Sequence, residues 1–449
     1  MQQNDDQYEK MINTPIPKLI LTLAVPTIIG MLITSAYNMA DAYFVSKLGT
    51  SASGAIGIVF SLMAIIQALG FTVGMGSGST ISRLLGKKEN DKAQEMASSA
   101  LAVSLILGII LSVTGLLMLE KLMLLLGATK SILPYAVEYA KYILYAAPVM
   151  MASFVLNNLL RAEGKTKLAM IGIGIGGILN IALDPLLIFG FGMNIGGAAI
   201  ATLISQVIGF IVLLSCFFRN KTILRFSIRK ISRKFTIYKE FIGNGMPSLF
   251  RQGLASAASV ALNRVAAAQS DAAVAAMSIV GKIFMMVFCI LIGFGQGYQP
   301  AAGYNYGAKE YGRVKKAYRF MLWAGTGVMT VLGILLYAAA PWLLEQFVSD
   351  DSKVMEIGVW ALRMQCAVMP FMPLGVACNM TFQAVGRSAM ASFLAACRQG
   401  VFFLPLIWVL PKFYGIIGME IAQPAADVAT FLVCLPVIRH FLKCLKTEN

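Results

Sequence analysis

The sequence predicts an all-α integral membrane protein, with twelve transmembrane helices in two pseudo-symmetric six-helix lobes around a central cleft. Three observations predict it. Of 449 residues 58% are hydrophobic and only 13% charged, with a mean hydropathy of +0.75; soluble domains carry about 25% charge. Twelve apolar stretches are long enough to cross a bilayer, which takes about 20 residues. Landmark residues also recur at a nearly fixed offset half a chain apart.

In chain order the spans are expected near 17–46, 52–77, 94–118, 131–158, 168–191, 195–218, 240–265, 273–299, 314–342, 354–382, 388–411 and 417–440. The opening MQQNDDQYEKM is polar and is followed by a full-length span, so no cleaved signal is expected and the first helix is kept. That first span carries Pro26 in its body and Asp41 near its far end. An interior proline removes a backbone hydrogen bond and bends the helix. A charge inside the membrane costs at least ~2.5–3.5 kcal/mol, which marks it for function or for a wet cavity. GMGSGS at 74–79 and GFGQGYQ at 293–299 hold small residues four apart, the spacing of close helix packing. GIGIGG at 172–177 matches GxGxxG in form, but it lies within a span and follows no strand, which argues against a dinucleotide site.

The net charge of +16 is distributed as a topology signal. One set of connections holds Arg83, Lys87, Lys88 and Lys92, then Arg161, Lys165 and Lys167. It continues with the run from Arg219 and Lys221 to Lys239, then Lys309 to Arg319, with Arg439, Lys443 and Lys446 in the tail. The alternate connections are short and carry Asp271, Glu345, Asp350, Asp351 and Glu356. The positive-inside rule places the first set and both termini in the cytoplasm of a multi-pass cell-membrane protein. The charge then serves orientation and anionic lipid, and nucleic-acid binding is excluded as its purpose. Seven cysteines form no CxxC pair and His440 is the only histidine, so free thiols are expected and no metal site is built from these residues.

A shift of 221 takes Pro26 to Pro247, Gly74 to Gly295, Gly76 to Gly297 and Gly86 to Gly307. A shift of 222 takes Pro148 to Pro370, Asn157 to Asn379, Gly164 to Gly386 and Gly196 to Gly418. The expected division is a lobe at 1–218, a basic cytoplasmic linker at 219–239 and a lobe at 240–449. With six spans each, the two halves share one orientation about an axis along the membrane normal.

Depth picks out a polar cluster in the first half. At about 1.5 Å per residue, Asp41 lies about 8 Å inside the outer end of its span, Asp184 and Thr202 about 10 Å, and Tyr139 about 12 Å. Tyr37 and Asp41 are four apart, as are Asn180 and Asp184, so each pair shares a helix face. Oxygen ligands of these kinds suit a small hard cation. Two carboxylates close together in low dielectric repel, so a proton is an equal candidate. The bland reading is a polar cluster that glues helices, with Pro185 merely a packing kink.

Here the residues reach a known family. The span-1 proline and aspartate, the NxxxDP of span 5 and GYNYGAK at 303–309, set in twelve spans, resemble the MATE (multidrug and toxic compound extrusion) transporters along the whole chain, the bacterial DinF/MepA-like branch in particular. The resemblance implies a monomeric antiporter that exports amphipathic, mostly cationic drugs in exchange for H+ or Na+, a route to antibiotic resistance, with no cofactor beyond the coupling ion. It implies an ion site at Asp41, Asn180, Asp184 and Thr202, where any Na+ would sit, with Tyr37 and Tyr139 beside it. It also implies bending of span 1 at Pro26 and draws Asn157 into the cavity, although the helical rise puts that residue near the inner end of its span.

The second half departs from this pattern, since Asp41 aligns with Leu262 and Asp184 with Leu406. Its own candidate is Asp427, with Arg251, Lys282 and Arg398 as in-membrane partners and a self-neutralising pair as the expected arrangement. Methionine is abundant at 26 residues, and a soft lining of Met and aromatics would suit varied apolar cargo, although most of these residues pack or face lipid. The alternative within transport is an exporter of a lipid-linked or endogenous metabolite. An enzyme is disfavoured by the lack of HExxH, GxSxG and any histidine near a span centre.

Overall fold

The computed structural model describes residues 2–218, 222–348 and 351–445, and among these it is helical with no strand. Arg219, Lys221, Asp350 and Lys446, counted above among the loop charges, lie outside the described residues. A short N-terminal helix α1 (Gln2–Asn13) precedes the first span α2 (Ile16–Ser46); then come α3 (Thr50–Gly86) and α4 (Asn90–Leu117). A seven-residue helix α5 (Leu119–Leu125) leads to α6 (Leu133–Ala162), α7 (Thr166–Pro185) and α8 (Asn194–Phe218). The second half holds α9 (Phe235–Gln269), α10 (Asp271–Gly307), α11 (Tyr311–Glu345), α12 (Ser352–Val368), α13 (Met372–Ala384), α14 (Ser388–Ala396) and α15 (Leu404–Cys444).

Among the described residues, ten segments are long and apolar enough to cross a membrane by composition alone. The last of them, Ser388–Cys444, is two spans, because Gly415 takes φ 57° and ψ −132° and turns the chain back. A positive φ is open to glycine without a Cβ penalty. α9 is absent from the ten and completes the twelve; it spends part of its apolarity on Arg251, Gln252 and Arg264. α12 and α13 form one span around a 3-10 turn at Met369–Phe371, where Pro370 and Pro373 prevent regular helix. After Pro185 α7 passes into a π turn at Leu186–Gly190, so this proline does alter the helix.

Pro26 lies inside an otherwise continuous α2. It cannot donate to the Thr22 carbonyl four residues back, and Thr166 Oγ1 donates to that oxygen instead, at 3.4 Å.

Because successive spans alternate, the turns at 87–89, 163–165 and 308–310 share one end of the bundle with the basic linker. At that end the halves meet. A Cβ on Gly76 of α3 would overlap the Phe241 carbonyl of α9, and one on Gly245 of α9 would overlap the Thr72 carbonyl of α3. Gly293 and Gly297 of α10 abut Ile28 and Ala24 of α2, and Gly86 and Gly307 bring α3 and α10 together. With no hydrophobic drive between helices in lipid, such close backbone packing supplies the cohesion. The two glycine-rich motifs thus serve packing, as does GIGIGG, where Gly172 meets Leu213 and Gly177 meets Ile33. Arg83 adds a polar tie across this end, donating to the Ala384 carbonyl at 3.0 Å and pairing with Glu240 at 3.4 Å.

The described part of the linker is clamped to the first half by Glu163. Its fully buried carboxylate accepts from the Ile223 and Leu224 amides at 3.0 and 2.9 Å and pairs with Lys165 at 3.0 Å.

Candidate functional site

Four helices of the first half converge on one buried polar cluster. α2 presents Tyr37 and Asp41 on a single face, α7 presents Asn180 and Asp184, α6 supplies Tyr139 and α8 supplies Thr202. α7 approaches α2 closely because Gly177 packs against Ile33 and Tyr37; a Cβ there would lie 2.7 Å from Ile33. α8 approaches the π turn through Gly197 in the same way.

Asp41 is 4% exposed and Asp184 fully buried. Tyr139 Oη donates to Asp41 Oδ2 at 2.8 Å. Asn180 Nδ2 reaches Asp184 Oδ1 at 3.4 Å and Thr202 Oγ1 at 3.2 Å. The cluster therefore has two hydrogen-bonded parts, Asp184 with Asn180 and Thr202, and Asp41 with Tyr139.

Three oxygens in this cluster have no partner: Asp41 Oδ1, Asn180 Oδ1 and Asp184 Oδ2. Ser205 Oγ, one turn along α8 from Thr202, is a fourth orphan nearby. A buried polar atom left unsatisfied costs about 1–3 kcal/mol, so the cluster is arranged for something it does not hold by itself. The three carboxylate and amide oxygens are acceptors only, which a proton or an oxygen-seeking cation would satisfy. The donor set fits H+ or Na+.

Tyr37, Asn180 and Thr202 line a cavity of about 70 Å³ in this lobe, together with Asn157. Asn157 sits away from the carboxylates: its Nδ2 donates to the Ala169 carbonyl at 3.0 Å, and its Oδ1 accepts from Arg161. Its amide is thus engaged in holding Arg161. Ser205 and Gln206 also line the cavity and were not picked out from sequence, although Thr202 with Ser205 and Gln206 is a helix-face pattern.

Between the halves lies a second cavity of about 260 Å³. Its walls on α2 and α3 come from residues 31–38 and 67–71, and on α10 from Met285 to Ile292, all farther from the basic end than the close glycine contacts, with Gln296 at the level of those contacts. The cleft therefore faces the opposite end. Asp427 lines it, 3% exposed, with Arg398 Nε on Oδ1 at 2.6 Å. Gln365 and Gln423 donate to the same carboxylate at 3.4 and 3.2 Å. This is the self-neutralising pair expected from sequence. Of its other expected partners, Arg251 lines the cleft and donates to Asn379 instead, at 3.4 Å. Lys282 is not a partner: it is exposed, beyond the α10 residues that form the cleft wall. Sequence fixes depth along a helix more firmly than the direction a side chain takes around it.

Two helical lobes, a cleft between them and an acidic pocket inside one define a multi-pass membrane protein of the transporter class. The MatE family model matches residues 26–186 and again 247–409, so the chain belongs to the MatE family. The two matches start at Pro26 and Pro247, the first landmark pair of the sequence repeat. The chain is 27% identical to a multidrug export protein, MepA, of Staphylococcus saprophyticus, and 26% identical to MepA of Staphylococcus aureus strain N315, with 96% of each chain covered in both cases. A solved structure described as the outward-facing conformation of a multidrug resistance MATE family transporter superposes with a TM-score of 0.93, at 27% identity and 98% coverage of both chains.

Proposed function

We propose that the protein is a secondary active exporter of amphipathic compounds, acting as a single chain and driven by H+ or Na+ entering the Asp41–Asp184 pocket. The carrying observation is the set of orphaned acceptor oxygens on Asp41, Asn180 and Asp184, sealed inside one lobe. The multidrug names of its relatives support the cargo class, and so does a cleft walled by Phe71, Phe288, Phe371, Phe431 and several methionines.

The coupling element in this reading is α2. Its outer part holds Asp41, and its basic-end part packs through Ala24 and Ile28 against Gly297 and Gly293 of the other lobe. Pro26 lies between those two contacts. A cation or proton that draws the pocket oxygens together acts on the helix that forms the lobe contact, and a bend at Pro26 is the simplest way to change it. Linkage requires the reverse as well: closing the lobes changes ion affinity by the same factor. With the basic end cytoplasmic and both termini there, the present arrangement is outward-facing.

The cationic bias that the resemblance implies finds one carboxylate in the cleft, Asp427, already paired with Arg398. The amphipathic part of that expectation is the part the cleft supports. The test is dye efflux in everted vesicles under an imposed proton or sodium gradient. Wild type should export when the gradient is present, and Asp41→Asn should lose at least about tenfold in rate, some 1.4 kcal/mol, at equal membrane abundance. Undiminished efflux by Asp41→Asn would end this assignment.

A further inference from the structure

The central cleft carries a net positive charge. Among the described residues its charged lining consists of Arg251, Arg398 and Asp427. Arg398 is satisfied by Asp427 and lies over the Phe288 ring at 4.5 Å. Arg251 has no such partner. It lies in none of the ion pairs among the described residues. Two of its donors reach only Asn379 Oδ1 and Met75 Sδ, both at 3.4 Å, a long contact and a weak acceptor.

A second guanidinium lies behind the cleft wall. Gln296, a wall residue, accepts from Arg161, which is 6% exposed, has an unpartnered Nε and likewise lies in none of those ion pairs. Asp41 and Asp184 do not line the cleft. A guanidinium at membrane depth without a counter-ion is expensive, and its planar fork of donors matches a carboxylate or phosphate in two-pronged fashion.

We propose that the cleft takes cargo with an acidic group on an apolar body, with Arg251 as the group that binds the acid and the Phe and Met walls holding the body. Calling that ligand cargo rests on the export reading; its binding does not. The acidic group could come from a dissolved amphipathic carboxylate or from an anionic lipid headgroup, which share this chemistry.

The test is equilibrium binding without an ion gradient, so that failure of ion-coupled export leaves it unaffected. Protein in phosphatidylcholine nanodiscs is titrated with a naphthalene-based amphipathic carboxylate and with its methyl ester, read by fluorescence polarisation. Wild type should bind the acid at least tenfold more tightly than the ester. Arg251→Gln should bring that ratio to within threefold of unity, and Arg251→Lys should retain most of it. Doping the discs with phosphatidylglycerol separates the two sources: competition with the acid identifies a lipid headgroup, and no competition identifies a dissolved acid. A wild-type ratio near one overturns the proposal even if the variants fail to fold. A ratio unchanged by Arg251→Gln overturns it too, as it would if Arg251 served only as a gating charge.

Discussion

At the scale of single residues, acceptors outnumber donors in the first-lobe pocket. Asp41, Asn180 and Asp184 each keep one oxygen free while Tyr139 supplies a hydrogen bond to Asp41. A hydrogen bond to a charged group contributes about 1.5–3 kcal/mol. That bond favours the empty, charged carboxylate, so Tyr139→Phe should lower the proton concentration for half-maximal transport by roughly ten- to a hundred-fold while leaving cargo binding to the cleft in place. Ion-dependent transport titrated in proteoliposomes measures this. In the other lobe, Asp427→Asn leaves the half-buried Arg398 guanidinium without its carboxylate, a change that costs about 1–3 kcal/mol. A fall in melting temperature that the double change Asp427→Asn with Arg398→Gln partly restores is the expected signature. The acidic cluster was legible because depth and four-residue spacing constrain side chains on known helix faces. The partner of Asp427 was not, since Arg251, Lys282 and Arg398 were equal candidates until their directions around α9, α10 and the α14–α15 span were known.

At the scale of elements, close approach is set by glycine. Gly245 of α9 faces the Thr72 carbonyl with no room for a Cβ. Gly245→Val should force α3 and α9 apart at the basic end and shift the population away from the present state, seen as longer spin-label distances across that end. An unchanged distance distribution would show that the contact is not a latch. Pro26→Ala restores a backbone donor to the Thr22 carbonyl, now served by Thr166, and should slow exchange without unfolding α2. The apolar runs placed the twelve spans to within several residues. They missed α1 and α5, whose lengths and polarity give no membrane signal. The π turn after Pro185 was foreseen only as a kink, because proline marks where a helix is disturbed and not what replaces it. α9 reads as a span from its apolar run, and the repeat that maps Pro247 onto Pro26 agrees with that, although its charges leave it out of the ten.

At the scale of the whole molecule, duplication and asymmetry coexist. The fold repeats, and the family model accordingly matches twice, but the acidic pocket belongs to the first half and the arginine-lined cleft mainly to the second. Sequence revealed both the repeat and the loss of the carboxylates at Leu262 and Leu406. The charge of the cleft stayed hidden, because Arg251 and Phe71 are 180 positions apart in the chain and meet only when the lobes assemble. Cysteines introduced at Asn38 and Gln252, which line the cleft, should be labelled by an impermeant reagent from the outside and lose that labelling when the lobes close over cargo.

The most direct measurement is exchange stoichiometry in proteoliposomes: an outward cargo gradient is imposed and the counter-movement of H+ or Na+ is recorded. Wild type should move the ion in fixed proportion to cargo, and Asp41→Asn and Asp184→Asn should each abolish that counter-movement. Tightly coupled ion movement that survives in both variants would contradict the account.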